Sequence, residues 1–264
     1  MTTFDTWDSY MTEPHGYVLK NLYGYGALEG DKLTQREYRE TAARQAEILT
    51  GRVEIPRTFD ADHVKAVHRH LFQNVYEWAG EYRNVNMAKQ GKGFARTGDI
   101  DVYLKHARRM VDAVDWPNAD KQEFAVGAAK VFALVNQAHP FREGNGRTSK
   151  ILMTQLAETS RFSLDFGAVS PERWNQASAA ATPPITEAVP NWQALVPVFK
   201  MMAVERDGPP PREPVSELTA TKDASASYPT SAIDALRAAR YTAGPDVKPS
   251  AAQTHQTEQK GYER

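Results

Sequence analysis

Twelve consecutive residues, 139–150, hold most of the side chains in this sequence that could do chemistry: His-Pro-Phe-Arg-Glu-Gly-Asn-Gly-Arg-Thr-Ser-Lys. His139 offers an imidazole whose near-neutral pKa suits it to take a proton from an attacking hydroxyl. Glu143 offers a hard oxygen ligand, and magnesium on nucleotide phosphates needs only one or two protein carboxylates. Gly144, Asn145 and Gly146 form a turn able to take positive φ, so that backbone N–H groups and the Asn145 amide can converge on an anion. A helix starting there aims its N-terminal dipole at the same point. Arg147 and Lys150 are three residues apart and share one face of that helix. Arg147 brings a fork that can bind phosphate through two bonds, Lys150 a point charge. Taken singly, His139 could be no more than a helix cap and Gly-Asn-Gly an ordinary turn. Together, base, metal ligand, anion nest and cations fit phosphoryl or nucleotidyl transfer, where catalysis is mainly positioning and charge stabilisation. No Walker-type or dinucleotide-binding glycine pattern competes. Phe141 is expected to anchor the loop in the core.

The elements that position this stretch follow from apolar spacing. Phe124, Ala128, Val131, Phe132 and Val135 predict a helix over 121–138; it carries no charge from 131 to 138, reads as the most buried helix and delivers the chain to His139. Ile151, Leu152 and Leu156 continue a helix to about residue 159. Upstream, Val64, Val67, His68, Leu71, Phe72 and Val75 predict an amphipathic helix from Asp60 to about Gly80. His68 and His70 lie roughly 200° apart on it and cannot hold one ion from the same face, so a packed His68 and a solvated His70 are expected in place of a metal site. Thr34 and Glu37 form a capping-box pattern for a helix running to Thr50 and stopped by Gly51, with Ala42, Ala43, Ala46, Ile48 and Leu49 as its buried face. Residues 81–95 alternate at Val85 and Met87 and turn at 90–93, which reads as a small β-hairpin. Helices are also expected over 99–114, 172–181 after Pro171, and 191–204 with a kink at Pro197; residues 182–190, with three prolines, read as a loop.

The bounds narrow the function. Of 264 residues, 41% are apolar and 25% charged, which suits a folded domain over about 1–205. Residues 206–264 are rich in Pro, Ala and Ser and read as a largely disordered tail, with one short amphipathic island at 231–241. A net charge of −1 gives no general pull towards nucleic acid or acidic lipid. The absence of cysteine excludes disulfides, thiolate metal sites and cysteine nucleophiles. The N-terminus does not read as a signal peptide and no apolar run approaches the roughly 20 residues of a membrane span, so a cytoplasmic location is expected, compatible with delivery into another cell.

Residues 139–150 resemble the signature of the Fic (Fic/Doc) family, His-x-Phe-x-Asp/Glu-Gly-Asn-Gly-Arg-x-x-Arg, at every position but the last. Phe59-Asp60, the run 67–72 and the run 76–83 resemble the upstream part of Fic domains, so the resemblance spans roughly 15–205. It implies an all-α, mainly helical Fic fold with a β-hairpin flap, and transfer of AMP from ATP to a protein hydroxyl with release of pyrophosphate. In that reading His139 is the general base and Glu143 the Mg²⁺ ligand. Gly144, Asn145 and Gly146 form the anion hole, and Arg147 and Lys150 hold the nucleotide phosphates. The hairpin, through Val85, Asn86, Met87, Lys89 and Phe94, registers the target segment. Gly146 favours AMP, because the kinase branch of the family carries Lys there. Lys150 departs from the family's final Arg and keeps the charge without the fork. The family's inhibitory segment, Ser/Thr-x-x-x-Glu-Gly/Asn, has no match here, which implies a separate small antitoxin as inhibitor and a toxin-antitoxin role. Two alternatives stay open: a Fic-type transferase of phosphate or another nucleotide monophosphate, and a non-catalytic protein that binds through flap and tail.

Overall fold

The computed structural model describes residues 4–89 and 91–208. Most of the expected tail and the island at 231–241 therefore lie outside the described residues. The fold is mainly helical: α1 (Gly30–Leu49), α2 (Ala61–Phe72), α3 (Ile100–Asp112), α4 (Lys121–Ala138), α5 (Asn145–Ala157), α6 (Pro171–Ala181) and α7 (Val196–Met202). Between α2 and α3 lies the expected hairpin, β1 (Ala88–Lys89) against β2 (Lys92–Gly93), with Ala88 opposite Gly93 and Lys89 opposite Lys92. Lys92 and Gly93, read from sequence as part of the turn, thus belong to β2. A second antiparallel pair, β3 (Phe162–Leu164) and β4 (Ala203–Glu205), has no counterpart in the sequence pattern; β4 takes the end of what reads in sequence as one helix to Val204, because the pairing with β3 satisfies its backbone.

α4 starts where its cap dictates. Asp120 accepts from the N–H groups of Gln122 and Glu123 while the Glu123 carboxylate accepts from the N–H of Asp120, closing a capping box. Phe124, Ala128, Val131, Phe132 and Val135 are all buried, and α4 packs against α3, α5 and α7. Two apolar clusters result. One surrounds α4 with Leu104, Phe124, Phe132 and Phe199; the other gathers Tyr10, Leu71, Phe72, Tyr76 and Trp78 around α2. α5 lies between them, giving Ile151 to the second and Leu152 and Leu156 to the first. Its N-terminus is therefore held from both sides.

Three expectations need correction. α1 begins at Gly30, a turn before Thr34, whose hydroxyl donates back to Gly30 O at 2.9 Å. Its buried face runs through Leu33, Glu37, Thr41 and Ile48, while Ala42 and Ala43 are exposed; alanine has little apolar area to bury, so polar partners below set the rotation. α2 stops at Phe72, and 73–80 form turns. His70 is half-buried, with Nε2 3.0 Å from Glu47 Oε2, and is not a solvated residue.

Candidate active site

His139 caps the C-terminus of α4 in the left-handed conformation, φ 37° and ψ 58°. For an L-residue this costs about 1–2 kcal/mol, and the surrounding bonds hold it there. Its N–H donates to Val135 O at 3.2 Å and its carbonyl accepts from Arg83 Nε at 2.8 Å. The sharp turn sets the imidazole under the hairpin, where Phe94 stacks on it. Burial, with Arg83, Lys89 and Arg142 nearby, holds the imidazole below its ordinary pKa, hence neutral in the resting site.

The loop after it is braced from within. Asn145 accepts from Phe141 N–H at 2.9 Å and donates to Phe141 O at 2.7 Å. Its amide commits its oxygen and one N–H to this brace, and the further donors for an anion are the backbone N–H groups at the start of α5, which have no acceptor inside the helix. Gly144 has φ 82°, and a Cβ there would lie 2.3 Å from the Phe72 ring. Only glycine lets the loop pass this close. Phe141 is fully buried and stacks on His68 at 3.7 Å. His68 accepts from Gly80 N–H through Nδ1 at 2.9 Å, so its Nε2 carries the proton and donates to Glu143 O at 3.0 Å. Burial pushes this imidazole down to about 3.

Glu143 and Arg147 form an ion pair at 3.2 Å, four residues apart on the loop and first turn. Arg147 also bonds Glu37 and, at 3.2 Å, the Thr41 hydroxyl, both on α1. Burial and the neighbouring Glu37 raise the Glu143 pKa against the opposing pull of Arg147. Lys150 lies a turn further on with Nζ 4.5 Å from the centre of the Phe166 ring and has no ion-pair partner among the described residues.

The hairpin residues divide. Phe94 covers His139, Lys89 adds positive potential at the imidazole, and Met87 O accepts from Phe94 N–H at 3.1 Å. Val85 is buried in the α2 cluster, and Asn86 turns away to accept from Thr97 N–H at 3.1 Å. Neither faces the imidazole. The second edge of the hairpin is covered by the 182–190 loop, where Lys92 bridges Pro184 and a Cβ on Gly93 would meet Ile185 at 2.9 Å.

Arg83 is a buried tie whose partners the sequence does not announce. It is 1% exposed and donates to Val85 O at 2.8 Å, Ala95 O at 2.5 Å and Ala138 O at 3.3 Å besides His139 O, tying both ends of the hairpin to the end of α4. The contacts of Glu37 with Tyr76 and Arg147 are likewise not announced by sequence, which gives Glu37 only as part of a capping-box pattern. No group of three or more His, Cys, Asp or Glu side chains able to hold a metal exists among the described residues. No helix among the described residues is long and apolar enough to cross a membrane.

Residues 58–157 match the model of the Fic/DOC family. The chain is 33% identical over 168 residues to protein adenylyltransferase VbhT of Bartonella schoenbuchensis, covering 63% of this chain and 34% of that protein. It is 37% identical over 117 residues to a probable protein adenylyltransferase of Sinorhizobium fredii, covering 44% of this chain and 61% of the other. The chain thus spans about a third and three fifths of these two relatives. Among solved structures, the BepC protein of Bartonella tribocorum with bound AMPPNP is similar at a TM-score of 0.65 and 26% identity, over 76% of this chain and 98% of that one. A Fic domain of Bartonella quintana with bound ADP reaches 0.64 at 27% identity, over 75% and 95% of the two chains.

Proposed function

From the premise that residues 58–157 form a domain of the Fic/DOC family, we propose that this chain transfers AMP from ATP to a Ser, Thr or Tyr hydroxyl of a target protein. The observation that carries the reading is the meeting of a neutral imidazole, His139, with an anion-binding helix N-terminus within one braced loop. Relatives called protein adenylyltransferase and neighbours holding AMPPNP or ADP support it.

His139 accepts the proton of the target hydroxyl as its oxygen bonds to the α-phosphorus, and the bond from that phosphorus to the bridging oxygen of pyrophosphate breaks. The backbone N–H groups of Gly144, Asn145, Gly146 and Arg147 hold phosphate oxygens, aided by the dipole of α5. Glu143 is the residue that would hold Mg²⁺, which supplies charge neutralisation on the phosphates when bound. Arg147 and Lys150 add positive charge behind the nest. Phe94 and Lys89 border the imidazole from the hairpin, where an extended target segment would pair. The resemblance to the Fic family implies AMP transfer over γ-phosphoryl transfer, because residue 146 is glycine and not the lysine of the kinase branch.

The test is to incubate the protein and a host lysate with ATP labelled at the α or the γ position. AMP transfer labels target protein from α only, and His139→Ala abolishes it; label from γ identifies a phosphotransferase, and label from neither overturns both. The lack of a Ser/Thr-x-x-x-Glu-Gly/Asn segment supports an inhibitor that is a separate antitoxin. Unchanged growth on expressing the chain alone, with labelling retained, would refute a toxin role.

A further inference from the structure

Arg147 does not stand alone behind the nest. One of its terminal nitrogens, Nη2, donates both to Glu37 Oε1 and, at 3.2 Å, to Glu143 Oε1. The other, Nη1, donates to Thr41 Oγ1 at 3.2 Å. The guanidinium lies over the Phe72 ring at 4.7 Å. Glu37, 7% exposed, uses its second oxygen to accept from the Tyr76 hydroxyl. A single cation is thus shared by two carboxylates, one in the loop and one on α1, outside residues 58–157.

The sharing has a chemical consequence. An Arg facing a carboxylate can close into a two-bond fork, which occupies both carboxylate oxygens. Here Glu37 and Thr41 draw the guanidinium towards α1, and Arg147 gives Glu143 a single N–H, at Oε1. Resting on the reading given above, we propose that Glu37 is a positioning residue: it restrains Arg147 so that Glu143 keeps an oxygen available to the divalent cation of the nucleotide. Tyr76 holds Glu37 in turn. Second partners of metal ligands commonly act in this way.

Glu37→Gln keeps the shape and removes the charge. Binding of AMPPNP to the purified full chain is measured by calorimetry with Mg²⁺ and with EDTA, beside the melting temperature. This needs neither a target nor turnover, so it reports on Glu37 even if the transferred group is not AMP. The expected result is about a tenfold loss of the Mg²⁺-dependent part of the affinity, with the affinity in EDTA unchanged. Tyr76→Phe, which deletes one oxygen, shifts it the same way by a smaller factor. In an Arg147→Met background Glu37→Gln has no further effect. A purely structural role predicts the opposite pattern: a lower melting temperature with the magnesium dependence intact. That outcome, or equal losses with and without Mg²⁺, overturns the proposal. If Glu37→Gln does not fold, Tyr76→Phe decides by the same two readings.

Discussion

Phe94 and His139 lie ring on ring, their centroids 3.8 Å apart and their planes 16° from parallel. The contact joins the hairpin, which the proposed reading gives to target docking, to the proposed base. It fixes the imidazole plane, because His139 is already held at its backbone by Arg83.

Phe94→Ala is therefore expected to leave nucleotide binding unchanged and to slow transfer by about 10–100-fold, the scale on which small misplacements of a reacting group act. Phe94→Tyr, which preserves the stack, should stay near the parent. Single-turnover rates with saturating ATP separate the two, and an alanine variant as fast as the parent would remove Phe94 from the mechanism.

The buried His68 makes folding acid-sensitive. Its pKa is about 3 in the folded chain against an ordinary 6.5. Between these values the unfolded chain binds a proton that the folded chain refuses. Stability is thus fully present above pH 6.5 and falls as the pH drops towards 3, by up to about 1.4 kcal/mol per pH unit for one such group. His63 and His139, also lowered, act in the same direction. Urea unfolding of the parent and of His68→Gln between pH 7 and 5 checks this. The variant should be weaker at pH 7 yet lose stability less steeply, by about one proton's worth of slope; parallel slopes would contradict the assignment.

Much of this architecture is legible in sequence because it rests on local causes. The stripe from Phe124 to Val135 and its delivery of His139 follow from helical periodicity, and Pro171 marks the start of α6 through its fixed φ. The roles of Arg83 and Glu37 are not legible, since their partners lie 55 and 110 residues away. A polar residue at helical spacing between Leu33 and Thr41 is a signal only once the apolar weakness of Ala42 and Ala43 is noticed. β3 and β4 pair across 41 residues, which no local pattern announces.

Gly144→Ala sets two costs against each other at one atom. The left-handed φ of 82° strains any L-residue by about 1–2 kcal/mol. The new methyl would also meet the Phe72 ring at 2.3 Å, and buried backbone and packed aromatic have little room to yield. A loss of about 3 kcal/mol or more is expected in denaturant melts, with anion binding lost as well. Adding Phe72→Leu should recover part of the stability by clearing the contact, leaving the φ strain behind. Full additivity of the two losses would show that the ring is not what obstructs the methyl.

Lys150 gives the clearest gain-of-function case. Its ammonium sits over the Phe166 ring at 4.5 Å, half-buried, and burial lowers its pKa. The charge is thus held by an aromatic face, not a carboxylate, and it can reach phosphate as a point donor only. Arginine at this position would keep the charge outright, stack its plane on Phe166 and offer two parallel N–H groups to the triphosphate. Lys150→Arg should raise kcat/KM for ATP several-fold, mostly through a lower KM, since a phosphate contact made before and during transfer acts on binding. Lys150→Met, which keeps the length and deletes the charge, should reduce it by a similar factor or more. Initial rates over a range of ATP concentrations at fixed Mg²⁺ decide the matter. An arginine variant no better than the parent would mean that Lys150 already makes the contact its position allows, and that the departure from the family's final Arg carries no penalty.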